Sequence, residues 1–180
     1  MHHRRLFSTM GAAFLTLSAA AASPLLQNAK PVPEALKPPT DQVLAFELHA
    51  SGVQIYECRA RKDDPTRFEW AFKAPEADLF DASGKRVGKH YGGPTWEGAD
   101  GSKVVGEVRA KDTSLASGSI PWLLLSAKAT AGPGLFGPVK SVQRLNTTGG
   151  AAPASASPAQ AGQELRVPYT ATYAFYVGKS

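Results

Sequence analysis

Cysteine, histidine and long apolar runs are all scarce in this 180-residue chain, and each scarcity closes off a class of protein. Cys58 is the only cysteine, so no disulfide forms within the chain and cohesion has to come from packing. Its strand-like surroundings favour a buried, inert thiol over a reactive one, with pairing between chains left open. Of the four histidines, two lie at the extreme N-terminus, leaving His49 and His90. No two ligand-type residues stand at zinc spacing, and Glu97 with Asp100 lacks the repeated acids of a calcium loop, so no metal is expected. No apolar stretch reaches the about 20 residues a membrane-spanning helix needs. The net charge of +5 is modest and scattered, with no run of five like charges, which argues against a nucleic-acid partner. A helical stripe of 3.6-residue period is missing throughout.

What is present begins with an export signal. His2, His3, Arg4 and Arg5 form a basic head, a mildly apolar run extends from Met10 to Ala22, and Ala20-Ala21-Ala22 before Ser23 suits an A-x-A cleavage site. The expectation is an exported protein, periplasmic or secreted. Arg4-Arg5-Leu6-Phe7 also fits the twin-arginine pattern, in a run rich in Ala, Gly and Thr, although a basic head is equally expected of an ordinary signal. Removing residues 1–22 takes away Arg4 and Arg5 and lowers the net charge from +5 to +3. The 158 residues that remain of 180 after those 22 suffice for one domain.

Residues 23–40 contain Pro24, Pro31, Pro33, Pro38 and Pro39 and read as an extended, mobile leader. From Asp41 the period becomes two. Leu44, Phe46 and Leu48 alternate with Ala45, Glu47 and His49; Ser51-Gly52 reads as a turn, with Val53–Cys58 returning as the second arm of a hairpin. Phe68, Trp70 and Phe72 mark a third strand. Asp81-Ala82-Ser83-Gly84 and Gly98-Ala99-Asp100-Gly101 have the composition of tight turns between further strands. Ile120–Ala127, Val139–Asn146 and Tyr169–Val177 complete the set, the last with Tyr169, Ala171, Tyr173, Phe175 and Val177 on one face. Eight to ten strands with such turns predict a single all-β domain over residues 41–180, an antiparallel sandwich or barrel with long loops. Gly149–Gln163 is low in complexity and reads as a flexible surface loop.

Charge is unevenly placed. Thirteen of the fifteen acids lie between Asp41 and Asp112, and none lies from Thr113 to Gln163, where Lys128, Lys140 and Arg144 are the only charges. Such a half reads as core strands and small-residue loops, with a mildly anion-attracting surface as the alternative.

Two motifs bear on chemistry. Gly132-Pro133-Gly134-Leu135-Phe136-Gly137 spells G-x-G-x-x-G, but Pro133 removes a donor, a strand follows where a helix is required, and no acid occurs before Glu164. It is a glycine-rich turn, and no nucleotide or other cofactor is expected. No G-x-S-x-G elbow is present either. The densest polar and aromatic stretch is Lys89–Ser102 (KHYGGPTWEGADGS). His90 and Glu97 are the candidate catalytic residues, a base–acid pair with the imidazole tuned toward neutral pH. Tyr91, Trp96 and Asp100 are the candidate ligand-binding residues, the rings offering flat faces to a sugar or aromatic ligand. The competing reading makes the glycines ordinary turns and Trp96 a core plug.

The ordered blocks GVQIYEC (52–58), APEADLFD (74–81), KHYGGPTWEGADGSKVVG (89–106), IPWLLL (120–125), VQRLNTTGG (142–150) and VPYTATYAFY (167–176) resemble the domain of unknown function 3455 family, exported proteins of bacteria and fungi with no established activity. The resemblance covers about residues 38–177. It also implies a second cysteine in the loop after the GG-x-AP motif, suited to a bridge with Cys58; Ser157 occupies that place here, which leaves Cys58 free and the loop untethered.

No motif dictates a reaction. The leading expectation is a non-catalytic module that binds a small molecule or glycan, with an enzyme using His90 and Glu97, or a structural role, as alternatives. The export route is separable by experiment: changing Arg4 and Arg5 together to Lys should strongly reduce export if the twin-arginine receptor reads the pair, whereas an ordinary signal should tolerate it because the charge is kept. Periplasmic yield of the double variant is the measurement.

Overall fold

Alternating side chains and frequent tight turns produce a sheet that closes on itself. The computed structural model describes residues 30–113 and 117–179; the export signal at 1–22 and the leader up to residue 29 lie outside them. Eight strands follow in order: β1 (Gln42–Ala60), β2 (Phe68–Phe80), β3 (Arg86–Tyr91), β4 (Thr95–Gly98), β5 (Lys103–Asp112), β6 (Trp122–Ala131), β7 (Val139–Gly149) and β8 (Glu164–Gly178). Each pairs antiparallel with the next, and β1 also pairs with β8, from Gln42 opposite Gly178 to Glu57 opposite Glu164. The result is a closed barrel, which removes the free strand edges that would otherwise template aggregation. Among the described residues the only helices are 3-10 turns of three residues at Glu34–Leu36 and Pro158–Gln160, and no helix is long and apolar enough to cross a membrane. The described residues from Val32 onward belong to one compact unit.

The expected all-β domain is therefore a barrel of eight strands, with one difference at its start. Ser51-Gly52 is not a turn: β1 runs straight through it as a single 19-residue strand. Gly52 faces Ala77 on one side and Tyr169 on the other, and a Cβ there would strike the backbone of Glu76 and Ala77. The glycine serves close approach of β2, a use of glycine within strands that reads like a turn in sequence. Leu44 is also displaced from the core. An extra residue in β1 between Leu44 and Phe46 breaks the register with β8, leaving Leu44 half exposed while Phe46 and Leu48 stay inside. Bulges of this kind recur in β2, β3, β5, β6 and β7, adding the bend that closure requires.

The two expected turns form as hairpins. Asp81 Oδ1 accepts from the Ser83 and Lys85 amides and from the Ser83 hydroxyl. In the second turn, Asp100 Oδ1 accepts from the Ser102 amide at 2.9 Å and its hydroxyl at 2.6 Å. These are the local side-chain bonds that favour aspartate in turns.

The core fills one end of the barrel. Tyr169, Ala171, Tyr173 and Phe175 of β8 point inward as the period-two pattern predicts, all at most 3% exposed. Phe175 stacks on Phe46 at 4.8 Å and packs against Phe136 at 5.1 Å; Trp96 stands edge-on to Phe175 and Tyr173 at 6.1 and 5.2 Å. Gly106 makes room for this ring, since a Cβ there would lie 2.9 Å from Trp96 Cζ3. Such edge-to-face contacts add to burial itself.

Two segments expected to be loose are held. In the leader, Leu36 is fully buried with Trp122 and Leu145 on the outer wall of β6 and β7, and its carbonyl accepts from Gln143 Nε2. The loop 149–163 is anchored by Tyr56 Oη donating to Gly150 O at 2.6 Å, by Cys58 N donating to Gln163 O, and by Gly162 N donating to Cys58 O. Ser157 and Gln160 add a capping box.

Cys58 is free, 1% exposed, and its Sγ lies 3.6 Å from Ser157 O. Introducing Ser157→Cys should therefore form the bridge that the family resemblance implies. Its closing of a 99-residue separation should raise unfolding free energy by up to about 4–5 kcal/mol. The unfolded, unreduced variant should titrate no thiol with Ellman's reagent, where the native sequence titrates one.

Candidate functional site

Strand alternation divides the Lys89–Ser102 stretch between the two sides of the barrel wall. His90 pairs with Trp96 and Lys89 with Glu97 across β3 and β4, and successive side chains point to opposite faces. His90 and Trp96 are thus inside, 2% and 1% exposed, while Tyr91 and Glu97 are outside. Tyr91 Oη donates to Glu97 Oε2 at 2.8 Å, and Lys103 and Lys89 approach the same oxygen at 3.3 and 3.7 Å. The Tyr91 bond, then Lys103, hold the Glu97 carboxyl below the usual range, so it is ionised at neutral pH. The expected acid–base pair is separated by the sheet.

Asp100 is elsewhere again. Besides its own turn, its Oδ2 accepts from Leu135 N at 2.7 Å, and Ser102 Oγ accepts from Phe136 N at 2.9 Å. Bonds to Ser102 and then to the Leu135 amide keep its carboxyl low. Asp100 therefore ties the β4–β5 turn to the Gly132–Gly137 turn. That second turn joins β6 to β7, and two of the amides a phosphate would use are engaged by Asp100 and Ser102. The strand-to-strand connection expected from the sequence is what forms. Among the described residues no three His, Cys, Asp or Glu side chains gather as a metal cluster.

The inward residues border a cavity. A space of about 390 Å³ lies inside the barrel, walled by Phe72, Pro94, Val108, Ile120, Leu123, Leu125, Trp96 and Tyr173, with Gln54, Tyr56, His90 and Arg144 as its main polar groups. Phe72 and Val108 are 56% and 49% exposed and stand at its opening. Gly92-Gly93-Pro94, which joins β3 to β4, forms another part of the wall. The size and the largely apolar lining with few polar groups are those of a small-molecule site.

The polar groups within are uncharged except Arg144 and Lys73, and Lys73 pairs with Glu164. His90 stacks on Trp96 at 4.5 Å and packs against Tyr173 at 5.0 Å. Its Nδ1 lies 2.9 Å from Thr95 O, which requires Nδ1–H as donor and leaves Nε2 as an acceptor. Burial pushes its pKa down to about 3, the Thr95 carbonyl opposing and Arg144 assisting. His90 is thus neutral, not tuned to neutral pH as the sequence suggests. Burial raises Tyr56, Tyr169 and Tyr173 above the ordinary phenol value, so these hydroxyls stay protonated. Arg144, on β7, carries the remaining charge; its Nε donates to Pro121 O at 3.0 Å. Gln54 Nε2 and Trp96 Nε1 are buried without an acceptor.

Sequence reasoning found His90 and Trp96 but missed Arg144, Gln54 and Tyr173 as neighbours of one space. For Arg144 a signal existed, since it is one of three charges in the acid-free stretch 113–163 and alternation from Val142 directs it inward.

Fold and site define a closed eight-stranded β-barrel with one end packed and an internal cavity at the other. The family model described as a protein of unknown function, DUF3455, matches residues 39–177, and the chain belongs to that family. No curated protein and no solved structure matches the chain.

The neutral imidazole has a measurable consequence. Its folded pKa lies below the unfolded value of about 6.5, so below pH 6.5 the unfolded chain binds a proton that the barrel does not. Stability should be fully present above that pH and fall by about 1–2 kcal/mol from pH 6.5 to 5, at about 1.4 kcal/mol per unit. Urea unfolding of His90→Asn should show a lower baseline stability and a flatter profile over this window.

Proposed function

We propose that this protein is an exported, non-catalytic carrier or sensor module that binds a small, largely apolar molecule inside its barrel. The observation that carries the reading is the cavity itself. An eight-stranded barrel has an interior that side chains can fill or that can hold one small ligand, and here the aromatic ladder fills only one end. The wall is mostly aliphatic and aromatic, which suits an apolar molecule better than a glycan with its many hydroxyls. The imidazole is neutral and stacked, and the carboxylate once paired with it lies across the sheet, so the wall supplies no proton relay.

The neutral dye N-phenyl-1-naphthylamine should brighten and saturate on titration into the purified protein. Leu123→Trp, which fills the cavity from β6, should weaken that binding by at least about tenfold, or 1.4 kcal/mol, with the far-ultraviolet circular dichroism unchanged. Equal dye binding by both proteins would place the dye elsewhere and overturn the reading.

A further inference from the structure

The cavity's charge balance names the kind of molecule it takes. Several charged side chains on the outer surface have a counter-ion: Lys37 pairs with Glu34, Arg59 with Glu69, Lys73 with Glu164, Arg86 with Asp78, Arg109 with Glu107 and Arg166 with Glu76. Arg144 differs. It projects toward the cavity, its Nε donates to Pro121 O, its guanidinium also contacts the Tyr173 phenol, and no carboxylate among the described residues pairs with it. The cavity wall contains no Asp or Glu at all. Its other cation, Lys73, is already bound to Glu164 at 2.6 Å.

Nothing inside supplies the missing negative charge. The three nearby phenols stay protonated and His90 stays neutral, because burial dominates in each case. A guanidinium against an apolar wall is costly until it is paired, and its planar fork matches a carboxylate through two parallel N–H···O bonds. Two further observations point the same way. Trp96 Nε1, in a ring 1% exposed that borders the cavity, is buried without an acceptor, and Gln54, 2% exposed, has only the Tyr169 hydroxyl near its amide, outside good hydrogen-bond geometry. These are donors lacking acceptors, which is what an acceptor-only group would complete.

We infer that the cavity binds a monocarboxylic acid with an apolar body, its carboxylate held by Arg144 and its apolar part against Val108, Ile120, Leu123 and Leu125. This rests on the reading of the cavity as a small-molecule site. One unpaired cation suits a single negative charge; a phosphate dianion would need more. The apolar wall excludes small polar acids, which would leave it empty.

Three probes of one shape test this: 4-phenylbutyrate, 4-phenylbutanol and 4-phenylbutylamine, titrated by calorimetry at about pH 7.5, where the acid is ionised, with N-phenyl-1-naphthylamine as the neutral reference. The acid should bind at least about tenfold more tightly than the alcohol, and the amine most weakly. In Arg144→Met the acid should lose that preference while the neutral dye still binds, and the ligand-free variant should melt no lower than the native protein, because an unpaired charge has gone. Arg144→Lys should keep part of the preference, having the charge without the fork. If dye and alcohol bind but the acid gains nothing, or if its preference survives in Arg144→Met, the carboxylate inference is overturned and the cavity reading stands. If neither dye nor any of the three binds the native protein, both are overturned. The ladder on the native protein decides the matter even if a variant fails to fold.

Discussion

Pairing of the first strand with the last is the constraint on which everything else depends. β1 and β8 lie at opposite ends of the domain's sequence, yet they share register from Gln42–Gly178 to Glu57–Glu164. That seam is what makes an inside. Without it the inward row Tyr169, Ala171, Tyr173 and Phe175 would face solvent, and Leu48 and Ala50 with it. Because pairing at such separation is costly in loop entropy, the seam needs strong side-chain support. The Phe46–Phe175 stack at 4.8 Å lies directly on it, and so does the tie from Tyr56 to Gly150 beside it.

Closure also decides where space remains. The aromatic ladder from Phe136 through Phe175, Trp96 and Tyr173 to His90 descends the barrel axis, and each ring supports the next. The ladder ends at His90. Trp96, Tyr173 and His90 also border the cavity, whose wall continues with Tyr56, Phe72, Val108, Ile120, Leu123 and Leu125. The imidazole is therefore at a boundary: its ring continues the packing, while its burial keeps it neutral. A protonated imidazole there would also face the charge of Arg144, which adds to the larger effect of burial.

Much of this was legible in the sequence, and the failures have physical causes. The β8 alternation and the aspartate turns at 81–84 and 98–101 are local effects, and local effects are what a sequence displays. Gly52 misled because a glycine for close approach and a glycine for a turn look alike; only the neighbouring strand separates them. The candidate site was half visible for a related reason. Lys89–Ser102 is chemically dense, but a strand sends alternate residues to opposite faces, so His90 and Trp96 went in while Tyr91 and Glu97 went out to a surface ion-pair network. Nearness along the chain is opposite to nearness in chemistry here. Arg144 and Gln54 are ninety residues apart and meet through closure alone.

The acid-free half of the chain takes on meaning from the same geometry. Strands β6 and β7 supply Leu123, Leu125 and Arg144 to the cavity and Trp122, Leu145 and Gln143 to the outer patch covered by Leu36. One face of this wall is covered by the leader and the other borders the cavity, so it carries little charge on either side. An acid on either of those faces would be largely buried, and beside Arg144 it would pair with the cavity's one cation that lacks a carboxylate partner. The absence of acids from Thr113 to Gln163 thus leaves Arg144 without a carboxylate partner from its own wall.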